Sequence, residues 1–137
     1  MFYSLKVKLL YKYFFRVGNL LKHQKIAIGG NMDAQDLFIN PTILVDVKPD
    51  DDVMAEEIFG PVLPIVAVKN AREAVDFINA REKPLALYLF TRDQKVKDMF
   101  LNETSSGGVS VNDTIMHVAV ESLPFGGVGT SGMGNYH

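Results

Sequence analysis

Glu57 and Phe59 lie two residues apart in the stretch Glu56-Glu57-Ile58-Phe59-Gly60-Pro61. Residues i and i+2 of an extended segment face the same way, so these two side chains would address one ligand while Ile58 points into the protein. A carboxylate can accept hydrogen bonds from both hydroxyls of a ribose, and an aromatic face can support a flat heterocycle. The alternative, which these six residues alone favour, is a helix end with two solvated acids and a core Phe.

A second stretch of interest is glycine-rich. Residues 127–132 fit the pattern G-x-G-x-x-G, which in dinucleotide-binding proteins follows a strand and opens a helix. Only five residues follow Gly132, too few for such a helix, and no lysine follows the glycines as in a P-loop. We reject both phosphate-binding interpretations and predict a tight loop in which backbone approaches backbone or a ligand.

Metal-binding and nucleophilic side chains are sparse. The chain has no cysteine, which excludes a disulfide framework, a zinc–thiolate site and a cysteine nucleophile supplied by this chain. His23, His117 and His137 are far apart in sequence, and we interpret them as satisfied or surface histidines. Asp50-Asp51-Asp52 lack the alternating spacing of a calcium loop and predict a solvated turn. We therefore predict no metal site and no catalytic residue within this chain.

The second half of the chain reads as alternating strands and helices. Asn70 is the predicted N-cap of the first helix, with Glu73 at the capping-box position, and Asp93 opens the second helix. The three apolar strands of the pattern are predicted at Val62–Val68, at Leu85–Phe90 and from Val109 onward. This βαβαβ order predicts an α/β fold with a mostly parallel sheet and right-handed crossovers.

The first half begins with an amphipathic helix. Apolar residues recur at helical spacing between Leu5 and His23, and we expect this stripe to dock on the core. The stripe comprises Leu10, Phe14, Val17 and Leu21, and the basic face comprises Lys8, Lys12 and Arg16. Two extended segments follow, Gln24–Ile28 and Phe38–Val47, with a loop at 31–36; Pro41 argues for an edge or a bulge in the second segment.

Length and charge set outer limits on function. The 137 residues suit one domain, and the net charge is −2. Residues 1–32 carry six bases and no acid, whereas the remaining 105 residues hold 8 bases against 16 acids, a balance of −8. This acidic part lacks the basic face that a phosphate-backbone binder needs, so we expect no nucleic-acid partner. No apolar run approaches the length of a membrane span.

Several motifs, in one order, carry a family resemblance. They are Glu56–Pro61, Arg81–Tyr88, Thr104–Val109, Asn112-Asp113, Leu123–Gly129 and Ser131–His137. With these residues the chain resembles an aldehyde dehydrogenase of the class 3 branch, which includes the fatty aldehyde dehydrogenases. Because several separate motifs agree, the resemblance is far more specific than a single pattern match. The resemblance covers the C-terminal part of the catalytic domain only.

The resemblance implies roles for particular residues. It implies that Glu57 holds the nicotinamide ribose and that Phe59 contacts the nicotinamide region of NAD or NADP. It also implies a group of residues along the aldehyde channel: Ile115, Ala119, Phe125 and His137. The family reaction is attack of a cysteine thiolate on the aldehyde, hydride transfer to the cofactor and hydrolysis of the thioester to a carboxylic acid.

The chain departs from the family pattern in what it contains. We interpret residues 1–13 as a basic segment foreign to the family and 14–137 as an incomplete catalytic domain. By the resemblance, the cofactor-binding domain and the nucleophile region precede the part present here. We therefore expect one wall of a site whose chemistry lies elsewhere, with weak or absent cofactor binding and no aldehyde oxidation by this chain alone.

Two other functions stay open at this point. The chain could be a non-catalytic binding or regulatory protein that dimerises with itself or with a full-length homologue. It could also be a membrane-surface protein held by its basic helix within residues 1–23, although we do not expect membrane association. The expected location is cytoplasmic, and the membrane alternative would place the chain at the cytoplasmic face of a membrane.

Overall fold

The computed structural model describes residues 2–134, with side chains from residue 11 onward. The chain divides into two compact units, Met1–Ala67 and Val68–His137. Unit 1 contains helix α1 (Phe2–Leu20) and strands β1 (Lys25–Ile28), β2 (Met32–Asp33), β3 (Phe38–Ile39), β4 (Thr42–Val45) and β5 (Val62–Pro64). Unit 2 contains helices α2 (Ala71–Asn79) and α3 (Gln94–Glu103) and strands β6 (Ala86–Leu89) and β7 (Gly108–Val111).

Strand β4 is the centre of the main sheet of unit 1. It pairs antiparallel with β1 and parallel with β5. The predicted extended segment Phe38–Val47 is therefore two strands, because Pro41 interrupts it and β3 turns back to pair with β2. The predicted loop at 31–36 is wrong in part, since Met32 and Asp33 form the other arm of that hairpin.

A buried polar contact holds the start of β4. The Thr42 hydroxyl accepts a hydrogen bond from Gly30 N (3.0 Å) and donates one to Asn40 O (2.7 Å). Gly29 has a φ of +84°, and a Cβ atom there would overlap with the carbonyl oxygen of Pro41. Glycine is required at this position because the β1 end and the chain before β4 approach backbone to backbone.

Helix α1 supplies one side of the unit 1 core. Phe14, Val17 and Leu21 are buried, which confirms these three residues of the predicted docking face. The fourth predicted residue, Leu10, lies outside the range in which side chains are described. Leu21 forms a cluster with the sheet and the loop residues that follow it: Leu44, Val47 and Val53. Most of the stabilisation of this helix therefore comes from burial of one apolar face rather than from helix propensity.

Both helices of unit 2 begin at the predicted capping residues. The Asn70 side chain accepts a hydrogen bond from Glu73 N (3.0 Å), and the Glu73 carboxylate accepts one from Lys69 N (2.6 Å). The Asp93 carboxylate accepts one from Lys95 N (2.8 Å). These caps satisfy backbone N–H groups that have no partner within the helix.

The predicted order strand–helix–strand–helix–strand is confirmed, but its strands do not form one sheet. β6 and β7 pair in parallel, with Ala86 opposite Gly108, whereas β5 pairs with β4 in unit 1. Beyond the last pair, the Asn112 side chain binds the backbone of Thr91: it accepts from Thr91 N (2.9 Å) and donates to Thr91 O (3.0 Å). The fold class is α/β, with two parallel and two antiparallel strand pairs among the described residues.

The strands are shorter and less buried than their apolar sequences predict. β5 ends at Pro64, which has no N–H to donate to a ladder, and Leu63 is exposed. In the second predicted buried strand only Leu89 is buried, while Leu85 and Phe90 are exposed. The unit 2 core instead lies where the two helices cover β6, and consists of Val75, Leu89 and Phe100. Apolar character alone therefore overstates burial here.

Candidate functional site

Glu57 and Phe59 lie on a loop between a short 3-10 turn at Asp52–Met54 and β5. Both residues are exposed, and Phe59 retains 67% of its accessible surface. Ile58 between them packs against the buried cluster of unit 1. The alternation expected from their spacing is confirmed, and the alternative of a core Phe is wrong for Phe59. The loop therefore offers a carboxylate and an aromatic ring to solvent, two residues apart.

Arg16, in the last part of helix α1, binds this loop through its guanidinium group. Arg16 Nε donates to Glu56 Oε1 (3.0 Å), Nη2 donates to Glu57 O (2.9 Å) and Nη1 donates to Ile58 O (3.3 Å). An ion pair between Arg16 Nη2 and Glu56 Oε1 spans 2.7 Å. Arg16, which the spacing places on a basic face with Lys8 and Lys12, is therefore turned toward this loop and partly buried, whereas Lys12 is exposed.

Arg16 is the functional candidate that the sequence did not indicate. It is 40 residues from Glu56, and the local pattern around it is an ordinary run of basic residues at helical spacing. A single arginine among lysines was the one local difference. Only arginine offers a planar fork of donors to several acceptors. An arginine among lysines therefore indicates a residue with several acceptors, but the local sequence does not identify those acceptors.

The backbone of the loop is strained at Phe59. Its φ is +48°, in the left-handed region that residues other than glycine rarely adopt. Gly60 follows, and a Cβ atom there would lie 3.0 Å from Val17 Cγ2, closer than ordinary van der Waals contact. Helix α1 thus touches the loop twice, through Arg16 and through Val17. Such contacts keep a residue in a conformation that it would otherwise leave.

A second group of predicted site residues lies in unit 2, after the C-terminal end of β7. Ile115 and Ala119 stand at the two ends of a 3-10 turn, Met116–Ala119, and both are exposed. Ile115 has a φ of +64°. Phe125 is half-buried, and its ring centroid lies 5.5 Å from that of His117. The fourth predicted member, His137, lies outside the described residues.

His117 differs from its predicted satisfied or surface state. Its ring lies between Tyr88 and Phe125, with centroid distances of 5.5 Å to each. Both ring nitrogens are shielded and have no hydrogen-bond partner among the described residues. The ring therefore packs as part of an aromatic cluster that connects β6 to the segment carrying Phe125.

The glycine-rich stretch folds onto itself, as predicted. A Cβ atom on Gly127 would overlap with the Ser131 carbonyl oxygen, and one on Gly107 would overlap with the Gly126 carbonyl oxygen. The Ser131 hydroxyl accepts from Val128 N and donates to Val128 O, both at 2.9 Å. A three-residue 3-10 turn, Gly129–Ser131, stands where a phosphate-binding helix would begin. The glycines permit backbone contact within the loop.

The resolved charge perturbations lie away from both groups. Hydrogen bonds from Arg72 hold the pKa of Glu103 below its usual value, and a hydrogen bond to Asp46 raises the pKa of Lys25. Among the described residues no group of three His, Asp or Glu side chains could hold a metal ion. In residues 2–134 no helix is long and apolar enough to cross a membrane.

The chain is similar in sequence to known proteins. The sequence model of the aldehyde dehydrogenase family matches residues 18–137. The chain is 62% identical over 126 residues to aldehyde dehydrogenase family 3 member A2 of Mus musculus, which covers 92% of this chain and 26% of that protein. It is 58% identical to the dimeric NADP-preferring aldehyde dehydrogenase of Rattus norvegicus, covering 92% of this chain and 28% of the relative.

A solved structure gives the same result. The substrate-bound state of Staphylococcus aureus AldH superposes with a TM-score of 0.89 at 47% identity, and the match covers 93% of this chain and 28% of that one. The chain therefore spans about a quarter of the length of these relatives.

Proposed function

This chain belongs to the aldehyde dehydrogenase family, and we propose that it forms part of the nicotinamide- and aldehyde-contacting wall of an NAD- or NADP-dependent aldehyde dehydrogenase. In this proposal Glu57 accepts hydrogen bonds from the ribose next to the nicotinamide, and Phe59 supports the nicotinamide ring. Ile115, Ala119, Phe125 and His137 line the path of the aldehyde. The chain contributes binding and orientation rather than the nucleophile.

One observation carries the proposal: Glu57 and Phe59 are both exposed on one loop, while the half-buried Ile58 between them packs against the core of unit 1. An exposed Phe without a ligand leaves apolar surface in water, which is unfavourable by roughly 25 cal/mol per Å². Arg16 and Val17 nevertheless hold the loop in this conformation. A flat apolar ligand against Phe59 would remove that surface from water.

The described residues fit one end of a dinucleotide. A carboxylate and an aromatic face suit the ribose and the nicotinamide, whose bound form accepts a hydride from the aldehyde carbon. The glycine-rich stretch offers no site for the phosphates of the cofactor. Its space is filled by its own backbone, and its 3-10 turn of three residues is too short to serve as a phosphate-binding helix. We therefore expect the isolated chain to bind NAD or NADP weakly or not at all.

Apolar and aromatic surface supports the aldehyde-path part of the proposal. Ile115 and Met116 are exposed, and Phe125 is half-buried. Such side chains suit the hydrocarbon part of a medium-chain or aromatic aldehyde, since burial of each CH₂ group contributes about 0.8 kcal/mol. The role of His137 rests on the family resemblance alone.

Turnover by the chain alone is not expected, because the family reaction needs a thiolate and this chain has no cysteine. The test mixes the purified chain, NAD or NADP and a medium-chain or aromatic aldehyde, and follows the absorbance of the reduced cofactor. An upstream-extended protein, in which this chain follows the region that carries the cysteine, should be active. Turnover by the repurified chain above a protein-free control would overturn this part of the proposal.

The roles of Glu57 and Phe59 are tested in the upstream-extended protein. Glu57→Ala removes charge-assisted hydrogen bonds of about 1.5–3 kcal/mol, or roughly 10- to 150-fold in cofactor-dependent kcat/KM. Phe59→Ala should slow hydride transfer more than it weakens cofactor binding. The exposed Glu82→Ala serves as the matched control. Unchanged kinetics in both variants would remove the ribose and nicotinamide roles.

A second candidate function is non-catalytic pairing with itself or with a full-length subunit. It is favoured by three large apolar side chains of unit 2 that stand exposed: Leu85, Phe90 and Leu123. Apolar surface of this kind drives association. Size-exclusion chromatography over a concentration series should show dimers or larger species, and a sharp monomer peak at every concentration would count against pairing.

A further inference from the structure

The loop that carries Glu57 and Phe59 has a single side chain anchored to three of its consecutive residues. Arg16 donates to the carboxylate of Glu56 and to the carbonyl oxygens of Glu57 and Ile58. The Glu57 carbonyl belongs to the peptide group that joins Glu57 to Ile58, and the Ile58 carbonyl belongs to the next one, which joins Ile58 to Phe59. Fixing both oxygens restrains two consecutive peptide planes. The first plane contains Glu57 Cα and the second contains Phe59 Cα, so together they restrain the directions in which both side chains leave the backbone.

The contact is more than a surface ion pair. The Arg16 side chain is only 28% exposed, whereas that of Glu56 is 68% exposed. The Tyr13 ring lies 5.8 Å from the guanidinium carbon on the same helix, within the range of a cation–π contact. Partial burial reduces screening by solvent, and the preorganised fork of donors loses little entropy on binding several acceptors.

The strain at Phe59 needs such an anchor. A left-handed φ at a bulky residue persists only when the surroundings determine it, and the residue before Phe59 is the last one that Arg16 binds. On the other side, Gly60 is held against Val17. The strained residue is therefore bracketed by two contacts with helix α1.

We infer that Arg16 is a positioning residue for the nicotinamide end of the cofactor: it orients Glu57 and Phe59 through the carbonyl groups of Glu57 and Ile58 without touching the ligand. This inference rests on the proposed function of those two residues. It also separates the roles of the adjacent acids, because Glu56 binds Arg16 while Glu57 is left to face a ligand.

The kinetic test uses the upstream-extended protein with Arg16→Lys, Arg16→Met and Glu56→Gln. Lysine keeps the charge but cannot bind three acceptors in one plane, so Arg16→Lys should restore only part of what Arg16→Met loses. We expect the cofactor KM to rise about tenfold or more in Arg16→Met. Hydride transfer should slow in parallel, so the kinetic isotope effect with an aldehyde deuterated at C1 should increase.

These readouts distinguish positioning from stability. A variant that only lowers the fraction of folded protein reduces kcat and leaves the cofactor KM and the isotope effect unchanged. The matched control is Lys25→Met, which breaks the Lys25–Asp46 ion pair in the same unit away from the loop. Glu56→Gln keeps an acceptor for Arg16 and both carbonyl contacts, so its effect should be smaller than that of Arg16→Met.

A second measurement needs no cofactor. With 4-fluorophenylalanine at position 59 of this chain, the fluorine resonance should shift or broaden in Arg16→Lys and Arg16→Met but not in Lys25→Met. A wild-type-like resonance in both Arg16 variants would overturn the inference. So would wild-type cofactor KM and isotope effect in both variants while Glu57→Ala raises the KM. If Glu57→Ala leaves the KM unchanged while the fluorine signal moves, the proposed function fails and the anchor stands alone.

Discussion

The helix starts of unit 2 and the Glu57–Phe59 loop of unit 1 are held by contacts of different sequence range. In unit 2 each helix begins at a cap supplied by a residue next to it, Asn70 or Asp93, and α3 connects the two parallel strands β6 and β7 directly. In unit 1 the decisive contacts join distant segments. Arg16 binds Glu56 across 40 residues, and Lys25 binds Asp46 across 21. Unit 2 also has contacts between distant residues, such as Arg72 with Glu103 across 31 positions, but the starts of its helices are set locally, whereas the loop of unit 1 is bound by a residue 40 positions away.

The difference bears on function. The loop with Glu57 and Phe59 is in the unit whose geometry depends on distant contacts, where a strained residue can be held by a neighbouring helix. Ile115 and Phe125 lie in unit 2, in the segment that follows strand β7. Phe59 and Ile115 both have a left-handed φ, and a residue in such a conformation needs support from its surroundings. For Phe59 that support includes Arg16 and Val17 of helix α1.

The largest effect should come from emptying the unit 1 core. Leu44 is fully buried at the centre of the sheet, so Leu44→Ala should lower the free energy of unfolding by about 2–5 kcal/mol. Amide hydrogen exchange should show the loss in β1, β4 and β5. Leu101→Ala, on an exposed position of α3, is the matched control and should stay within about 0.5 kcal/mol. Equal losses in both variants would contradict the assigned core.

The next effect tests whether the glycine-rich loop of unit 2 is closed by its own backbone. Gly127→Ala places a methyl group against the Ser131 carbonyl oxygen, so we expect a loss of about 1–3 kcal/mol from overpacking. Gly134→Ala is the control, because a Cβ atom there has nothing within 4 Å. Thermal unfolding of both variants measures the difference, and a neutral Gly127→Ala would show that the loop has room.

A smaller effect tests how much the N-cap of α2 contributes to the stability of unit 2. Asn70→Ala removes the N-cap of α2 and should cost about 0.5–2 kcal/mol. Asn102→Ala, at an exposed position within α3, should be neutral or slightly stabilising because alanine has the higher helix propensity. Urea denaturation should show a loss of stability in Asn70→Ala and no loss in Asn102→Ala if the cap is as described. The same sign in both would mean that local capping does not set the stability of α2.

The smallest effect concerns pH and the pair that joins α2 to α3. Hydrogen bonds from Arg72 hold the pKa of Glu103 below its ordinary value of 4.5. A lowered folded-state pKa contributes stability above the unfolded value, and this contribution is lost as pH falls through the folded value. The melting temperature should therefore drop more steeply below about pH 4.5 in the wild type than in Glu103→Gln.

The group is exposed, so the effect should be slight and should fade in high salt. Glu82→Gln, which changes an exposed glutamate elsewhere in unit 2, provides the control for general charge effects. A pH profile of Glu103→Gln that overlays the wild type would remove this pair from the stabilising contacts of unit 2.

Several features followed from the sequence because their causes lie within a few residues. The caps at Asn70 and Asp93 require only a side chain and the next N–H groups. The outward pair around Ile58 follows from alternation along an extended segment. The backbone contact at Gly127 follows from the absence of a side chain in a stretch too short for a helix.

Tertiary structure decided the rest. Strand pairing, such as that of Val62–Pro64 with Thr42–Val45, depends on which segments meet, and an apolar run looks the same whether it is buried or at an edge. His117 became part of an aromatic cluster through Tyr88, 29 positions earlier. The acceptors of Arg16 lie 40 to 42 residues away and are brought to it by the packing of helix α1 against the loop at 56–58. A residue's type fixes what it can bind, but its partner is fixed by chain closure over tens of residues, for which no local pattern exists.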